Sequence, residues 1–289
     1  MNTFLLINPL SGSYSPSLRS RLLSQLNTAG ITPTVMTVTG PQDAGSVCAE
    51  IEAASYNPLV IVAGGDGTVN AVVNALQPRR STLAILPTGT ANVLAHELGI
   101  VNVADGINRI AAGKSKPLAV GVVESSDGSV RRFILMAGIG LDGSIVKGVR
   151  TWEKRALKKG AYLLSALRCL IAWDHSRFIL RANGQTLECH SVIIANAARY
   201  GGNFILVPTA DLSQPLLELF CITQTSRRSY LKILMSTLRG RPEQREDVIR
   251  LRTTHIELQG NRAIQLDGDY YGQAPGRIST IADFARIIV

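Results

Sequence analysis

Residues 58–70 read Pro-Leu-Val-Ile-Val-Ala-Gly-Gly-Asp-Gly-Thr-Val-Asn, and this stretch decides the fold. A short apolar run, partly β-branched, ends in two glycines, an acid and a third glycine, and apolar residues then return at helical spacing through Leu76. The pattern predicts a buried strand, a tight turn and a helix.

The turn in this stretch suits an anion. Gly64, Gly65 and Gly67 carry no Cβ atom, so the main chain can approach a ligand closely. A helix that begins near Thr68 also directs free N–H groups and the positive end of its dipole to the same place. The turn therefore predicts binding of a nucleotide phosphate. A simpler alternative exists for Asp66, which could cap the following helix, but capping does not explain the glycines.

Strands and helices alternate outward from this turn through about residue 110. Predicted strands at 4–7, 34–38, 58–63 and 82–86 are separated by amphipathic helices that include 16–29 and 43–55. The alternation predicts a doubly wound, mainly parallel sheet with helices on both faces, an α/β domain over residues 1–115. Small-residue turns at 8–12, 64–68 and 87–92 follow three of these strands, and ligands collect at that edge of such sheets.

The second half of the chain predicts a mostly antiparallel β-sandwich over residues 116–280. Its β-like runs are 117–123, 130–137, 178–182, 191–195, 216–222, 248–251, 255–258 and 263–266. Two helical stretches interrupt them, near 158–171 and 229–238. The terminal segment 281–289 predicts a strand that can return to the first domain.

Bulk composition limits the class of protein. A chain of 289 residues with 46% hydrophobic residues has enough core for two domains. A net charge of +9 predicts attraction to anionic partners. The four scattered cysteines contain no C-x-x-C pair and predict reduced thiols in a cytoplasmic protein. No apolar segment reaches the ~20 residues that cross a bilayer, so we expect contact with a membrane only from outside.

Three motifs, taken together, resemble the nucleotide site of the diacylglycerol kinase catalytic family, which includes sphingosine kinases, ceramide kinases and bacterial lipid kinases. They are Asn8-Pro9-Leu10-Ser11-Gly12, the turn at 64–70, and Leu86-Pro87-Thr88-Gly89-Thr90-Ala91-Asn92. Segments at 136–142, 159–163, 200–204 and 266–269 extend the resemblance, in order, over essentially the whole chain.

The resemblance implies transfer of the γ-phosphoryl group of ATP to a lipid hydroxyl, with Mg²⁺ as a second cofactor. The acceptor would be diacylglycerol-like or sphingoid-like and would bind in the β-rich domain, across a cleft from the nucleotide. The residues implied at the ATP site are Asn8, Pro9, Ser11, Gly12, Thr39, Gly64, Gly65, Asp66, Gly67, Thr68, Asn70, Thr90 and Asn92. Asp66 would also help to organise the catalytic magnesium through water.

The catalytic acid of the family lies in an Asp-Gly-Glu motif, which stands here as Asp267-Gly268-Asp269 with the last side chain one methylene shorter. Phosphoryl transfer requires a group that takes the hydroxyl proton. Asp267 and Asp269 are both candidates, and the sequence does not choose between them. The alternative is a plain two-residue hairpin turn, for which Asp-Gly is a common pair.

Two departures from the family pattern affect this interpretation. Val93-Leu94 follow the Gly-Thr-Ala-Asn motif where the family usually has Asp-Phe. Bacterial members also hold a structural magnesium through an acid at the position that Gln214 occupies here. Because Mg²⁺ prefers carboxylate oxygen, we expect this second metal site to be lost. Asp211 could replace the acid only with a rearranged loop.

The binding partners can be predicted from the charged residues and the apolar residues between them. The basic run Lys147, Arg150, Lys154, Arg155, Lys158 and Lys159 is interleaved with Trp152, Leu157 and Tyr162. It predicts peripheral contact with an anionic membrane, although a solvated helix face would look the same. We expect no nucleic-acid partner. The sequence leaves the oligomeric state open, with a homodimer as one option.

Two rival functions stay open at this point. An NAD kinase shares the Gly-Gly-Asp-Gly turn. A catalytically silent protein that binds lipid or nucleotide is suggested by the shortened acid at Asp269 and by Gln214. The first and third motifs favour the lipid kinase.

Overall fold

Two large β-sheets organise the chain, one of ten strands and one of six. The structure is a computed structural model that describes residues 2–150, 159–202, 204–238, 247–273 and 276–289. Among these residues, no helix combines the length and the apolarity needed to cross a bilayer.

The first 112 residues alternate strand and helix as predicted. The elements are β1 (Thr3–Ile7), α1 (Pro16–Thr28), β2 (Thr34–Thr37), α2 (Pro41–Ala54), β3 (Leu59–Gly64), α3 (Asp66–Ala75), β4 (Thr82–Pro87), α4 (Val93–Glu97) and α5 (Val103–Ala112). The parallel strands lie in the order β2-β1-β3-β4. Alternate residues pack on opposite faces, since Leu6 and Val62 join a core with α2 and α3 while Leu5 and Ile61 join one with α1 and α5. The doubly wound sheet is confirmed.

The second half is mostly β-structure with three described helices. Its strands are β5 (Ser115–Ser125), β6 (Val130–Phe133), β7 (Met136–Ile139), β8 (Phe178–Ala182), β9 (Gln185–Cys189), β10 (Ser191–Ala195), β11 (Arg199–Tyr200), β12 (Phe204–Ile205), β13 (Leu217–Ile222), β14 (Val248–Thr253), β15 (His255–Gln259), β16 (Ala263–Leu266), β17 (Asp269–Gln273) and β18 (Gly276–Ile288). Its helices are α6 (Leu141–Lys147), α7 (Lys159–Ile171) and α8 (Arg227–Leu238).

A β-sandwich forms where the two sheets face each other. The six-stranded sheet runs β14-β13-β10-β7-β16-β17, and all its pairings are antiparallel. Leu219 and Ile194 from this sheet share one buried cluster with Phe133 and Leu180 from the other. The predicted antiparallel sandwich is therefore confirmed.

The last strand connects the two halves of the molecule. β18 pairs in parallel with β4 near Arg286, antiparallel with β15 over its first residues, and antiparallel with β5 over most of its length. Its register with β5 shifts between Ile281 and Ala285. The terminal segment thus returns to the first sheet, which runs without a break into the sandwich. The domain boundaries at 115 and 280 stay predictions.

One predicted strand is wrong. The run at 130–137 was expected to form a single strand, but β6 belongs to the ten-stranded sheet and β7 to the six-stranded sheet. The chain crosses between the sheets at Ile134 and Leu135, whose amides bond to the carboxylate of Asp267 instead of a strand. Helix α6 was also missed, because seven residues carry too short a periodic signal.

Candidate functional site

The three small-residue turns meet at the carboxyl edge of the parallel strands. The side-chain amide of Asn8, after β1, donates to the Thr68 hydroxyl at 2.8 Å. The amide of Thr88, after β4, donates to the Gly64 carbonyl at 3.3 Å, and the Ser13 amide donates to the Thr88 carbonyl at 3.3 Å. The turns that the sequence places after three different strands therefore form one surface.

The glycines of these turns are needed for contact between the turns themselves. A Cβ atom on Gly89 would lie 2.3 Å from the Cα of Gly65, and one on Gly64 would lie 2.6 Å from the Thr68 Cβ. A Cβ on Gly12 would lie 3.0 Å from the Thr90 hydroxyl oxygen. The glycines, predicted to admit a ligand, are therefore also required by the packing of the turns.

Replacing Gly89 by alanine should therefore disturb the site. Because the added methyl meets backbone that cannot rotate away, we expect a loss of about 1–3 kcal/mol in the free energy of unfolding and weaker ATP binding, measured by denaturant unfolding and calorimetry. The matched control is Gly45→Ala, an exposed position in α2 with nothing within 4 Å. That control should be neutral or stabilising by about 0.5–1 kcal/mol. Equal stability of Gly89→Ala and wild type would contradict the close packing.

Asp66 connects two of the turns. It is the first residue of α3, and its carboxylate accepts the amides of Val93 and Leu94, each at 3.0 Å. The alternative that Asp66 caps its own helix is wrong, because the carboxylate caps α4 instead. Sequence spacing carries no signal for this pairing, which joins residues on separate strand–helix units.

Asn92 shapes the third turn from within. Its backbone is left-handed, with φ of 49°. Its side chain accepts the Gly89 amide and donates to the Gly89 carbonyl, both at 2.9 Å. This closed pair fixes the loop that leads into α4.

Two further hydroxyls lie on the strand-end turns. The Ser11 hydroxyl oxygen is buried and has no hydrogen-bond partner among the residues that the structure describes. A buried hydroxyl without a partner is costly, so this position fits a phosphate oxygen as its missing acceptor. Thr39 follows β2, and its hydroxyl donates to Asp43 at 2.6 Å. The glycine-rich surface and the Ser11 hydroxyl together fit a triphosphate.

Asp267 is held by four N–H donors. Its carboxylate accepts the amides of Ile134 at 2.8 Å, Leu135 at 2.8 Å and Met136 at 3.0 Å. It also accepts the side-chain amide of Asn70 in α3 at 2.7 Å. Burial raises the pKa of this carboxyl, and the donors oppose that rise. With two donors on each oxygen, the lone pairs of the carboxylate are fully used.

Asp269 stands in a different environment two residues later. Leu266 and Asp269 are paired across the β16–β17 hairpin, and the two turn residues between them, Asp267 and Gly268, have φ of 50° and 89°. Asp267 and Gly268 therefore form a two-residue hairpin turn, and this geometry is compatible with a catalytic role for Asp269. The hairpin presents exposed Asp269 to the glycine turn at 64–70, with Oδ2 4.0 Å from where a Cβ on Gly67 would lie.

A cavity of about 410 Å³ opens between these two halves of the site. Most of its wall is apolar, and Asp66 and Asp267 lie on it as well. Its lining is Asp66, Ala91, Val93, Leu135, Met136, Asp142, Ile145, Val146, Tyr162, Arg199, Tyr200, Gly201, Phe204, Gln265, Asp267 and Gly268. The arrangement can hold an apolar molecule beside the turns.

A buried polar group that was not predicted as a site from the sequence lies on the wall of this cavity. Asp142 accepts the Tyr200 hydroxyl and the Gln265 side-chain amide, the latter at 2.7 Å. Burial raises the pKa of Asp142, and burial beside this carboxyl raises the pKa of Tyr200 well above its ordinary value. Only the family-like spacing of residues 136–142 could have indicated it.

The loop at Asp211 and Gln214, where a second metal site was expected to be lost, is held by hydrogen bonds and one ion pair. Asp211 accepts the Ser213 amide and hydroxyl at 2.9 and 2.8 Å, and the Lys116 ammonium lies 3.8 Å away. Gln214 is exposed, and its backbone N–H donates to the Asp211 backbone carbonyl. Within the described part of the chain, no three His, Cys, Asp or Glu side chains are grouped to hold a metal ion.

Two other features lie near the site. A hollow of about 440 Å³ is lined by residues of α1, α4 and the loop before α5, including Arg21, His96 and Asn102. The predicted membrane-binding run is only partly visible, because residues 151–158 lie outside the described ranges. Of its members, the Lys147 ammonium stands 5.6 Å above the Tyr270 ring.

Comparison with known proteins identifies the family. Residues 2–123 match the family described as "Diacylglycerol kinase catalytic domain", and residues 136–289 match "YegS C-terminal NAD kinase beta sandwich-like domain". A diacylglycerol kinase of Bacillus subtilis is 25% identical over 99% of this chain and 95% of its own length. A Chromohalobacter salexigens protein named "Probable lipid kinase YegS-like" is 30% identical over 73% of this chain and 68% of its own.

A solved structure shares the fold. The crystal structure of a diacylglycerol kinase from Bacillus anthracis matches with a TM-score of 0.78 and 24% identity, and the match covers 99% of this chain and 96% of that chain. The expected resemblance is thereby confirmed over both halves. The chain belongs to the diacylglycerol kinase family, together with the YegS-like lipid kinases, and it is a phosphotransferase with an alcohol group as acceptor.

Proposed function

We propose that this protein transfers the γ-phosphoryl group of ATP to the hydroxyl of a membrane lipid. One observation carries the proposal: an apolar cavity of about 410 Å³ lies beside the phosphate-binding turns and is bordered by the Asp267–Asp269 hairpin. Because ATP is made in the cytoplasm, we place the enzyme there, at the membrane surface.

The strand-end turns would hold the nucleotide. The backbone amides of the glycine turn and the Ser11 hydroxyl would hold the phosphates, while Asn8 and Thr68 hold the turns together through their 2.8 Å hydrogen bond. When bound, ATP with Mg²⁺ supplies the phosphoryl group and neutralises its charge. Asp66 would hold the magnesium through water, since a carboxylate bonded to two amides keeps further lone pairs for that water.

Asp269 is the better candidate for the catalytic base. A base needs a carboxylate oxygen that can approach the acceptor hydroxyl, and every lone pair on Asp267 already accepts an N–H. Asp269 is exposed and faces Gly67. Asp267 would position the hairpin, and Asp269 would take the hydroxyl proton on Oδ2. A carboxylate in this position favours an active kinase over a catalytically silent protein.

The cavity favours a lipid over NAD as acceptor. Burying a charged dinucleotide against apolar side chains would leave its phosphates without partners. An acyl or sphingoid chain would instead gain from contact with Ile145, Val146 and Phe204. The polar group at Asp142 and Tyr200 could contact the acceptor's head.

To test this proposal, ATP labelled at its γ-phosphate is supplied to the purified protein. Detergent-dispersed diacylglycerol, sphingosine, ceramide and NAD are supplied in separate reactions with Mg²⁺. We expect label in a lipid product, none in NADP, and loss of transfer when EDTA removes the metal. Label in NADP alone would support the NAD kinase, and nucleotide and lipid binding without any transfer would support the silent protein.

A further inference from the structure

Helix α7 exposes an apolar face. Leu167, Leu170 and Ile171 follow the i, i+3, i+4 spacing that places side chains on one side of a helix. All three are exposed, Ile171 to 82%. A soluble helix normally turns such a stripe towards the core, so this stripe lacks a partner within the described part of the chain.

Helix α8 repeats the pattern. Its inner face is anchored, because Ile233 is buried, Tyr230 packs on the same core and the Tyr230 hydroxyl contacts Nδ1 of His190 at 2.6 Å. Leu231, Leu234 and Met235 again have the i, i+3, i+4 spacing, and all three are exposed, Leu231 to 61%. The helix therefore buries one apolar face and leaves a second one outside.

The two helices and one hairpin form a single surface. Arg227 of α8 donates to the carbonyl of Ile171 at the end of α7, at 3.2 Å. α8 also packs beside β12, whose Phe204 and Ile205 are both exposed. Phe204 in turn lines the cavity. We name this surface the apolar rim: the two helix triplets and the two residues of β12.

The three segments that carry the apolar rim have charges of one sign. Residues 159–171, 199–205 and 227–238 contain no Asp or Glu, whereas α8 alone carries Arg227, Arg228 and Lys232. The nearby acid Asp174 is paired with Arg262. Apolar side chains flanked by basic ones are typical of helices that lie in the headgroup region of an anionic bilayer. A second copy of this chain would bring like charges together and is disfavoured.

We propose that the apolar rim docks the enzyme on an anionic membrane, with the cavity mouth towards the lipid. This inference rests on the proposed lipid kinase function and names a surface that the sequence did not indicate. Leu231 and Leu234 would enter the boundary of the acyl chains while Arg228 and Lys232 contact phosphate headgroups. The acceptor lipid could then enter the cavity beside Phe204 without crossing water.

The experiment compares the double variant Leu231→Glu/Leu234→Glu with the control Val101→Glu/Val130→Glu. The control residues are exposed, at 77% and 59%, and lie outside the apolar rim. Sedimentation with vesicles of phosphatidylcholine and phosphatidylglycerol measures binding without ATP. We expect about a tenfold or larger drop in partitioning for the rim variant, none for the control, and weaker wild-type binding to pure phosphatidylcholine.

Activity measurements distinguish failure of the membrane-docking proposal from failure of the lipid kinase function on which it rests. The rim variant should phosphorylate a short-chain, water-dispersed diacylglycerol like wild type and lose activity only on lipid within vesicles. Failure of wild type on every lipid would overturn the kinase function, and the vesicle-binding measurement would still test the rim. Unchanged vesicle binding by the rim variant overturns the proposal. So does a wild-type dimer that this variant converts to a monomer with vesicle binding intact.

Discussion

Asp269→Asn is expected to lower kcat for lipid phosphorylation about 10²–10⁴-fold, the usual contribution of a general base. The amide keeps the size of the side chain and removes its ability to take the hydroxyl proton. Because the position is exposed at the start of β17, KM for ATP and the melting temperature should change little. Steady-state kinetics on a water-dispersed lipid measure kcat and KM, and thermal unfolding measures the melting temperature.

The matched variant is Asp269→Glu. It restores the longer acid of the family motif and keeps the carboxylate opposite Gly67, so we expect substantial activity from it. Wild-type turnover in Asp269→Asn would remove Asp269 from the chemistry. Equal loss in the Asn and Glu variants would show that the side chain contributes its shape and not its basicity.

Asp267→Ala is expected to cost about 3–5 kcal/mol in the free energy of unfolding and to abolish activity. Three consecutive backbone amides, from Ile134 to Met136, lose their acceptor together with Asn70 of α3. A buried donor left without a partner costs about 1–3 kcal/mol, and water that enters the space left by the side chain offsets part of the sum. Denaturant unfolding measures the loss.

The control for this change lies two residues away. Asp269→Ala should lower the free energy of unfolding far less than Asp267→Ala does, because the Asp269 side chain is exposed. Two aspartates of the same hairpin would then show different effects. Loss of Asp267 would lower the stability of the fold, and loss of Asp269 would lower the catalytic rate. An Asp267→Ala variant as stable as wild type would contradict the anchoring role.

The parallel half of the fold was predictable because its signals are local. Each buried strand carries its own apolar run, as at 59–64, and each turn that follows carries its own glycines. Parallel order then brings the ends of β1, β3 and β4 to one edge. The meeting of Asn8 with Thr68 follows from that order, without any knowledge of their hydrogen bond.

The partners of the two key acids were not predictable. The carboxylate of Asp66 bonds to the start of α4 and that of Asp267 bonds to the crossing between β6 and β7, and both contacts join distant parts of the chain. The exposure of the second apolar face of α8, and of the apolar face of α7, could not be predicted from the sequence either. An amphipathic pattern shows that one face is apolar, and burial of Ile233 beside exposed Leu234 depends on what packs against the helix.

The account depends on the γ-phosphate lying between the glycine turn and Asp269. A crystal structure with Mg²⁺ and a non-hydrolysable ATP analogue tests this placement most directly. We predict the triphosphate on the turns of Ser11 and Gly65, with its terminal phosphate facing Asp269. Nucleotide bound instead in the hollow beside Arg21 and His96, with no phosphate facing Asp269, would contradict it.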